Sequence, residues 1–162
     1  MALHFLTADA SAEVGEIVEL GGREAHHAAT VRRLRVGEEV TVGDGRGAWL
    51  RGHAPEVTPA RVVVQIDARR DVPPASPRLV LAQALAKGDR DELAIQAATE
   101  LGVDEIVPWQ AARSVSRWDA AKAVKGRERW ETIVREAAKQ AHRAWVPTVT
   151  APVSTAQLAA RE

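Results

Sequence analysis

Two short segments carry the side chains best suited to gripping a phosphate. Lys87-Gly88-Asp89-Arg90 sets two cations around a glycine, between an apolar run that reads as a strand and a helix-forming stretch. Open α/β sheets bind ligands at that place, just outside the carboxyl ends of their strands. Glycine lets the backbone come close to a ligand, and Lys87 and Arg90 supply positive charge. Arg113-Ser114 follows the next apolar run in the same way, with Trp118 nearby; an arginine fork matches phosphate in bidentate fashion. A third cluster lies far earlier, where His26-His27 is followed by Arg32, Arg33 and Arg35. Successive helical residues point about 100° apart, so the two histidines share no metal-binding face, but cations at a helix end suit phosphate contact. Glu136, Gln140 and Arg143, spaced by four and three, share a polar stripe on a predicted long helix. That stripe is open to nucleic acid, to a partner subunit or to solvent. Taken singly, each cluster fits a solvated face or a capped helix end equally well.

Other chemistries find no support. Gly43-Asp44-Gly45-Arg46-Gly47 lacks the full GxGxxG spacing and leads into no clear helix, so it reads as a hairpin turn rather than a phosphate loop. There is no HExxH, no Ser/His/Asp pattern and no acidic calcium loop, and no metal site is expected. Cysteine is absent from all 162 residues, which excludes disulfides, thiolate metal sites and cysteine nucleophiles. The formal net charge is zero, yet residues 113–143 hold nine Lys/Arg against four Asp/Glu. A neutral chain can still carry a basic face. Neither a signal peptide nor a membrane span is read from the sequence, and a cytoplasmic location is expected.

The elements that must position these side chains change character at Asp71-Val72-Pro73-Pro74-Ala75-Ser76-Pro77. Three prolines in residues 73–77 disfavour helix and cannot sit in a central strand, so this stretch reads as a linker. Before it, alternation at residues 16–20 and 39–42, resumption at 48–51 and the β-branched run 61–66 predict short strands of a small barrel. One helix interrupts them at residues 23–33. After the linker, residues 79–85 and 105–109 predict strands that alternate with helices, hence a parallel sheet. Asp89 and Glu92 match a capping box, Leu93, Ala94, Ala97, Ala98 and Leu101 form an apolar face, and Gly102 suits a C-cap. A long helix is predicted over residues 126–144, with Trp130, Ile133, Val134, Ala137, Ala138 and Ala141 as its buried stripe, ended by Val146-Pro147. Ser154 or Thr155 caps a further helix that has barely two turns at Glu162. About half of an α/β domain is therefore expected to lie outside this sequence.

Taken together these segments are more specific than any one of them. Residues 83–90 (QALAKGDR), 99–108 (TELGVDEIVP), Arg113-Ser114-Val115, Arg129-Trp130 and residues 136–143 (EAAKQAHR) stand in an order that resembles the RsmE-type small-subunit ribosomal RNA methyltransferases. His27 to Arg35, Val36-Gly37 and Gly43-Asp44-Gly45 look like the PUA-like domain of the same family. The resemblance implies an α+β two-domain chain. Residues 1–72 would be a PUA-like small β-barrel that binds RNA, 73–77 the linker, and 78–162 an incomplete α/β SPOUT domain lacking its trefoil knot. It implies S-adenosylmethionine (SAM) as methyl donor, N3 of a uridine in 16S ribosomal RNA as acceptor, the small ribosomal subunit as partner, and a homodimer. It implies RNA contacts at His27, Arg32, Arg33, Arg35, Lys87, Arg90, Arg113, Ser114, Gln140 and Arg143. Arg113, Lys87 and Arg143 are the candidates for stabilising the uridine imide anion. The cofactor pocket would lie beyond Glu162, so this chain alone is expected to be inactive. Three positions depart from the family pattern: His4 replaces a usual Arg, Ala86 a usual Pro and Ala97 a usual Lys. A non-catalytic RNA-binding module and a nucleotide-binding α/β protein unrelated to RNA remain as alternative readings.

Overall fold

The computed structural model describes residues 2–161. The chain divides into two compact units, Met1–Pro74 and Ala75–Glu162, with the division inside the proline-rich stretch.

The first unit is a five-stranded sheet, curled as a half-barrel. Its strands are β1 (Leu3–Leu6), β2 (Ile17–Gly21), β3 (Glu39–Gly43), β4 (Ala48–Val57) and β5 (Arg61–Asp71), in the order β1-β3-β4-β5-β2. β1 runs parallel to β3 and the other pairs are antiparallel. β1 and β2 are the two edges, so the predicted small barrel is corrected to an open half-barrel. The bend has a local cause: the β4–β5 register shifts between Arg51 and Gly52 and again between His53 and Glu56, and such bulges sharpen twist. β5 continues to Asp71, five residues past the β-branched run that revealed it, because Arg69 and Arg70 alternate correctly against β4. β1 was not anticipated; four residues give too short a pattern.

Alternation places Val40, Val42, Leu50, Val62, Val64 and Ile66 on one face, all at 1% exposure or less. At roughly 25 cal/mol per Å² of apolar surface removed from water, this layer is the main force holding the unit together. Asp44 closes the β3–β4 connection: its carboxylate accepts the Arg46 and Ala48 amides, and Gly45 and Gly47 take positive φ. The Gly43–Gly47 segment is thus a turn, as its Asp-Gly chemistry dictates.

In the second unit, β6 (Val80–Ala84), β7 (Glu105–Gln110) and β8 (Thr148–Val149) pair in parallel, and β9 (Val153–Ser154) also joins β7. The two main strands match expectation; the two-residue strands are too short to leave a pattern. Three helices accompany them: α2 (Arg90–Glu100), α3 (Ala120–Gln140) and α4 (Thr155–Ala159). Ile95, Ile106, Trp130, Val134 and Val149 form the core.

Several helix expectations need correction. Asp89 precedes α2 but makes no capping hydrogen bond; its ψ of 9° is not the extended geometry a cap requires. Asp91 does that work instead, accepting the amides of Ala86 and Glu92. The buried side of α2 is Asp91, Ile95 and Thr99, whereas Leu93 is 58% and Leu101 86% exposed. Counting apolar residues put the face about a quarter turn off, because Ile95 and the hydrogen-bonded Thr99 decide it. Gly102 does end α2, with φ of 105° and the paired bonds Gly102 N–H to Thr99 and Val103 N–H to Ala98.

The long helix α3 begins six residues earlier than expected, where Asp119 caps it by accepting the Lys122 amide. It ends before Val146-Pro147. His142 takes φ of 54° and the same paired bonds form, to Lys139 and Ala138. A histidine in the left-handed conformation is an uncommon stop, which is why composition did not signal it. The anticipated cap at Ser154 is present as a full capping box with Gln157.

Candidate nucleic acid interface

The parallel pairing of β6 with β7 puts Ala84 beside Trp109, so both strands end at the same level. Their outgoing loops therefore emerge side by side. One holds Lys87, Gly88 and Asp89 and the other holds Arg113 to Trp118. Ser114 fastens them together by donating its hydroxyl to the Leu85 carbonyl at 3.0 Å. Gln110 accepts the Trp118 amide at 2.9 Å and folds the second loop back. The buried Asp91 carboxylate holds the first loop onto α2 through the Ala86 N–H at 3.1 Å. That bond needs an amide hydrogen, which proline lacks; the alanine at position 86 supplies it.

Lys87, Arg90 and Arg113 are exposed and make no ion pair among the described residues. Gly88 has φ of +78° and open space around the position of a Cβ, so its backbone is approachable. A cleft of about 440 Å³ opens between these loops, lined by Lys87, Gly88, Val115, Ser116, Trp118 and Arg129 among others. Arg129 crosses from α3 to pair with Glu92 on α2 through two hydrogen bonds of 3.2 and 2.9 Å. That bonding to Glu92 raises the Arg129 guanidinium above its ordinary range.

Gln140 and Arg143 do not join this group. A crossover helix in a parallel sheet returns the chain to the amino edge, and α3 delivers both residues there. Gln140 is exposed at its end. Arg143 is turned inward: its guanidinium donates to the Thr99 and Val103 carbonyls at 3.1 and 2.6 Å and pairs with Asp104 at 3.5 Å. Burial lowers its pKa, partly opposed by Asp104. The structure gives Arg143 the role of capping the end of α2, a correction to its reading as a surface contact. Arg129 and Trp118 are the cleft residues that site reasoning passed over. Trp118 lies five residues after Arg113, and Arg129 stands in the Arg129-Trp130 motif that resembles the family; these were the available signals, and neither residue was assigned a contact.

In the first unit α1 (Gly22–His26) runs into one π-helical turn, His27–Val31. The turn brings Arg32 and Arg33 out at its end, Arg33 with φ of 55°. Arg32, Arg33 and Arg35 are all exposed, and Val31 and Val36 beside them are 61% and 66% exposed. His27 is half-buried at the start of the turn, where its carbonyl accepts the Arg32 amide. The clustering of His27 with three arginines is therefore local, and the π-turn is what creates it. His4 is buried instead, stacked on Trp49 at 4.2 Å and bonded to Thr41.

Among the described residues no three His, Asp or Glu side chains group as a metal site. No helix is long and apolar enough to cross a membrane.

A family model described as the RNA methyltransferase domain matches residues 74–162. The chain belongs to the RNA methyltransferase family. Residues 20–52 also match the model for the RNA methyltransferase PUA domain, which covers the π-turn and the β3–β4 hairpin. Ribosomal RNA small subunit methyltransferase E of Mycobacterium tuberculosis is 42% identical over 153 residues, spanning 94% of this chain. Its counterpart in Bacillus subtilis is 36% identical over 86% of the chain. The chain spans 58% and 55% of those two relatives' lengths. Among solved structures, a ribosomal RNA small subunit methyltransferase E from Neisseria gonorrhoeae bound to S-adenosyl methionine superposes with TM-score 0.87. It is 28% identical, over all of this chain and 66% of that one. A Legionella pneumophila methyltransferase in complex with SAM superposes with TM-score 0.86, over 100% and 67%. The family member described here thus has the PUA-like and methyltransferase units that the sequence pattern implies.

Proposed function

We propose that the full-length protein transfers a methyl group from SAM to N3 of a uridine in 16S ribosomal RNA, and that this chain supplies its RNA-gripping surfaces. The observation that carries the reading is that Lys87, Arg90 and Arg113, all exposed, lie on the adjoining segments that leave the carboxyl ends of β6 and β7, in a chain of this family. Uridine N3 becomes a nucleophile by losing its imide proton, and a nearby cation stabilises the anion that results. Lys87 and Arg113, exposed on the two loops, are the residues proposed for that task, and no general base is assigned. The target edge of the base is used in pairing, so the RNA must present the uridine unpaired. Arg32, Arg33, Arg35 and His27 are proposed to hold the RNA backbone from the PUA-like unit.

SAM supplies the methyl group when bound. Its sulfonium is itself a cation, whereas the cleft sets Arg129 against Glu92, commits Asp91 to backbone amides and leaves Lys87 as the uncompensated charge; this lining suits an anion and does not fit the cofactor's sulfonium. We therefore assign the cofactor pocket, with the trefoil knot, to the share of the relatives that this chain does not match. By itself the chain is proposed to bind RNA without catalysis. A homodimer and a cytoplasmic location belong to the same proposal. The uncovered apolar strip Leu93, Ala97 and Leu101 on α2 supports the former.

Incubating the full-length protein with methyl-labelled SAM and small subunits lacking the modification is expected to label one uridine of 16S RNA. Absence of label would remove the proposal. For the interface, Lys87→Ala and Arg113→Ala are each expected to weaken RNA binding and to lower the slope of log affinity against log salt by about one. An unchanged slope would exclude a phosphate contact at that residue.

A further inference from the structure

Phosphate contact alone leaves the form of the unit-two cleft unexplained. Its wall includes an aromatic ring that packs against the core with only part of its surface and leaves the rest at the cleft. Trp130 is the core tryptophan, 1% exposed. Trp118 stands against its edge, ring centres 5.3 Å apart and planes at 73°, and remains half-buried at the cleft. Its indole lies flat on the α3 backbone: a Cβ at Gly126 would be 2.6 to 2.7 Å from three of its ring carbons. Only a residue without a side chain lets the ring lie there. Asp119, the next residue, caps α3 and fixes the chain at that point, so the indole is held rigidly before any ligand arrives. Val115, on the same wall, is 87% exposed. The same lining holds Lys87, which makes no ion pair among the described residues, and Arg129, already held by Glu92.

We propose that this cleft is a subsite for one unpaired RNA nucleotide, with Trp118 as the stacking platform for its base and Lys87 and Arg129 facing its phosphate. It rests on the RNA reading above and adds the residue that would hold a base. Its size suits the assignment: about 440 Å³ lies near the lower end of the range for small-ligand sites, enough for a nucleotide and not for a duplex. A held aromatic ring plus a flanking cation is the usual means of binding single strands with little sequence preference. The charge balance adds a second, independent consequence. Glu92 neutralises Arg129, so removing the Glu92 charge must strengthen the site for an anion.

The test is binding of a short fluorescein-labelled oligouridylate to the purified chain, followed by anisotropy, together with tryptophan fluorescence on an unlabelled oligouridylate. Trp118→Ala is expected to weaken binding by about 5- to 150-fold, the range for loss of one stacked base. Trp118→Phe keeps a stacking ring and is expected to bind within about three-fold of wild type, while the oligouridylate-induced quenching of tryptophan fluorescence is reduced to what the four remaining tryptophans give. Glu92→Gln is expected to tighten binding by about two- to five-fold at low salt. Because Trp118→Phe and Glu92→Gln are mild changes, they decide the matter even where Trp118→Ala fails to fold. Undiminished quenching in Trp118→Phe, or weaker binding in Glu92→Gln, would overturn the proposal. Uridine monophosphate saturating at the same concentration as the oligouridylate would also overturn it, in favour of a free nucleotide. Failure of methyl transfer with these binding results intact would sink the proposed activity and leave the subsite standing.

Discussion

Replacing Gly52 by alanine is expected to cost the first unit about 3 kcal/mol or more, an unusually large effect for one methyl group. Gly52 lies in β4 between Val40 of β3 and Ile66 of β5, at the first register shift. A Cβ there would stand 2.0 Å from the Gln65 carbonyl oxygen, 2.9 Å from its carbon and 3.1 Å from Val64. The first two are backbone atoms of the neighbouring strand. They cannot retreat without breaking the ladder that carries the core residues Val62, Val64 and Ile66. In a strand without such an obstacle the same change stabilises by roughly 0.5–1 kcal/mol, so even the sign of the effect comes from the contact. Gly21 is the control: it ends β2, has no positive φ, and nothing lies within 4 Å of the Cβ position. Thermal unfolding should show Gly52→Ala melting at least about 12 °C below wild type, with Gly21→Ala close to it. Equal melting of the two variants would show that the β4–β5 bulge is not as tight as described.

Arg143→Ala is expected to destabilise the second unit by about 2–4 kcal/mol. The guanidinium is the partner of two carbonyls at the end of α2, Thr99 and Val103, and of Asp104, and its side chain is 15% exposed. Removing it strands buried acceptors and one carboxylate together. Lysine offers a single ammonium in place of a planar fork, so Arg143→Lys should recover only part of the loss. Urea unfolding measures both. The alternative role, RNA contact, makes the opposite forecast: Arg143→Ala would keep its stability and lose RNA affinity. That result would return Arg143 to the interface and remove its capping role.

These two cases mark how far local pattern carries. The Asp44-Gly45 turn was legible because its chemistry lies within a few neighbouring residues. So was the Gly102 stop: a glycine free to take positive φ ends a helix whatever surrounds it. The capping box at Ser154 was read for the same reason. The positions of the two cationic loops after β6 and β7 were legible one at a time, since a strand's carboxyl end followed by cations is a one-dimensional signal. Arg143 looked equivalent to Lys87 and Arg113, because nothing in its immediate sequence says which edge of the sheet it reaches. The α2 face went astray on similar grounds. Leu93 and Leu101 are apolar, but burial is awarded by α3 and β6, and these cover Ile95 and Thr99.

By itself, then, the sequence determined the two-unit division, the strand and helix types, the turn chemistry and the family. All of these follow from backbone propensity, from periodicity and from motifs read in order. Only the tertiary structure decided that β6 and β7 end level and so bring Lys87 beside Arg113, that α3 carries Gln140 and Arg143 to the opposite edge, and that Gly126 makes room for Trp118. Each of those depends on contacts between residues some eight to forty-five positions apart. Such contacts are fixed by sheet register and helix packing, whose energies come from surfaces that do not meet until the chain has folded.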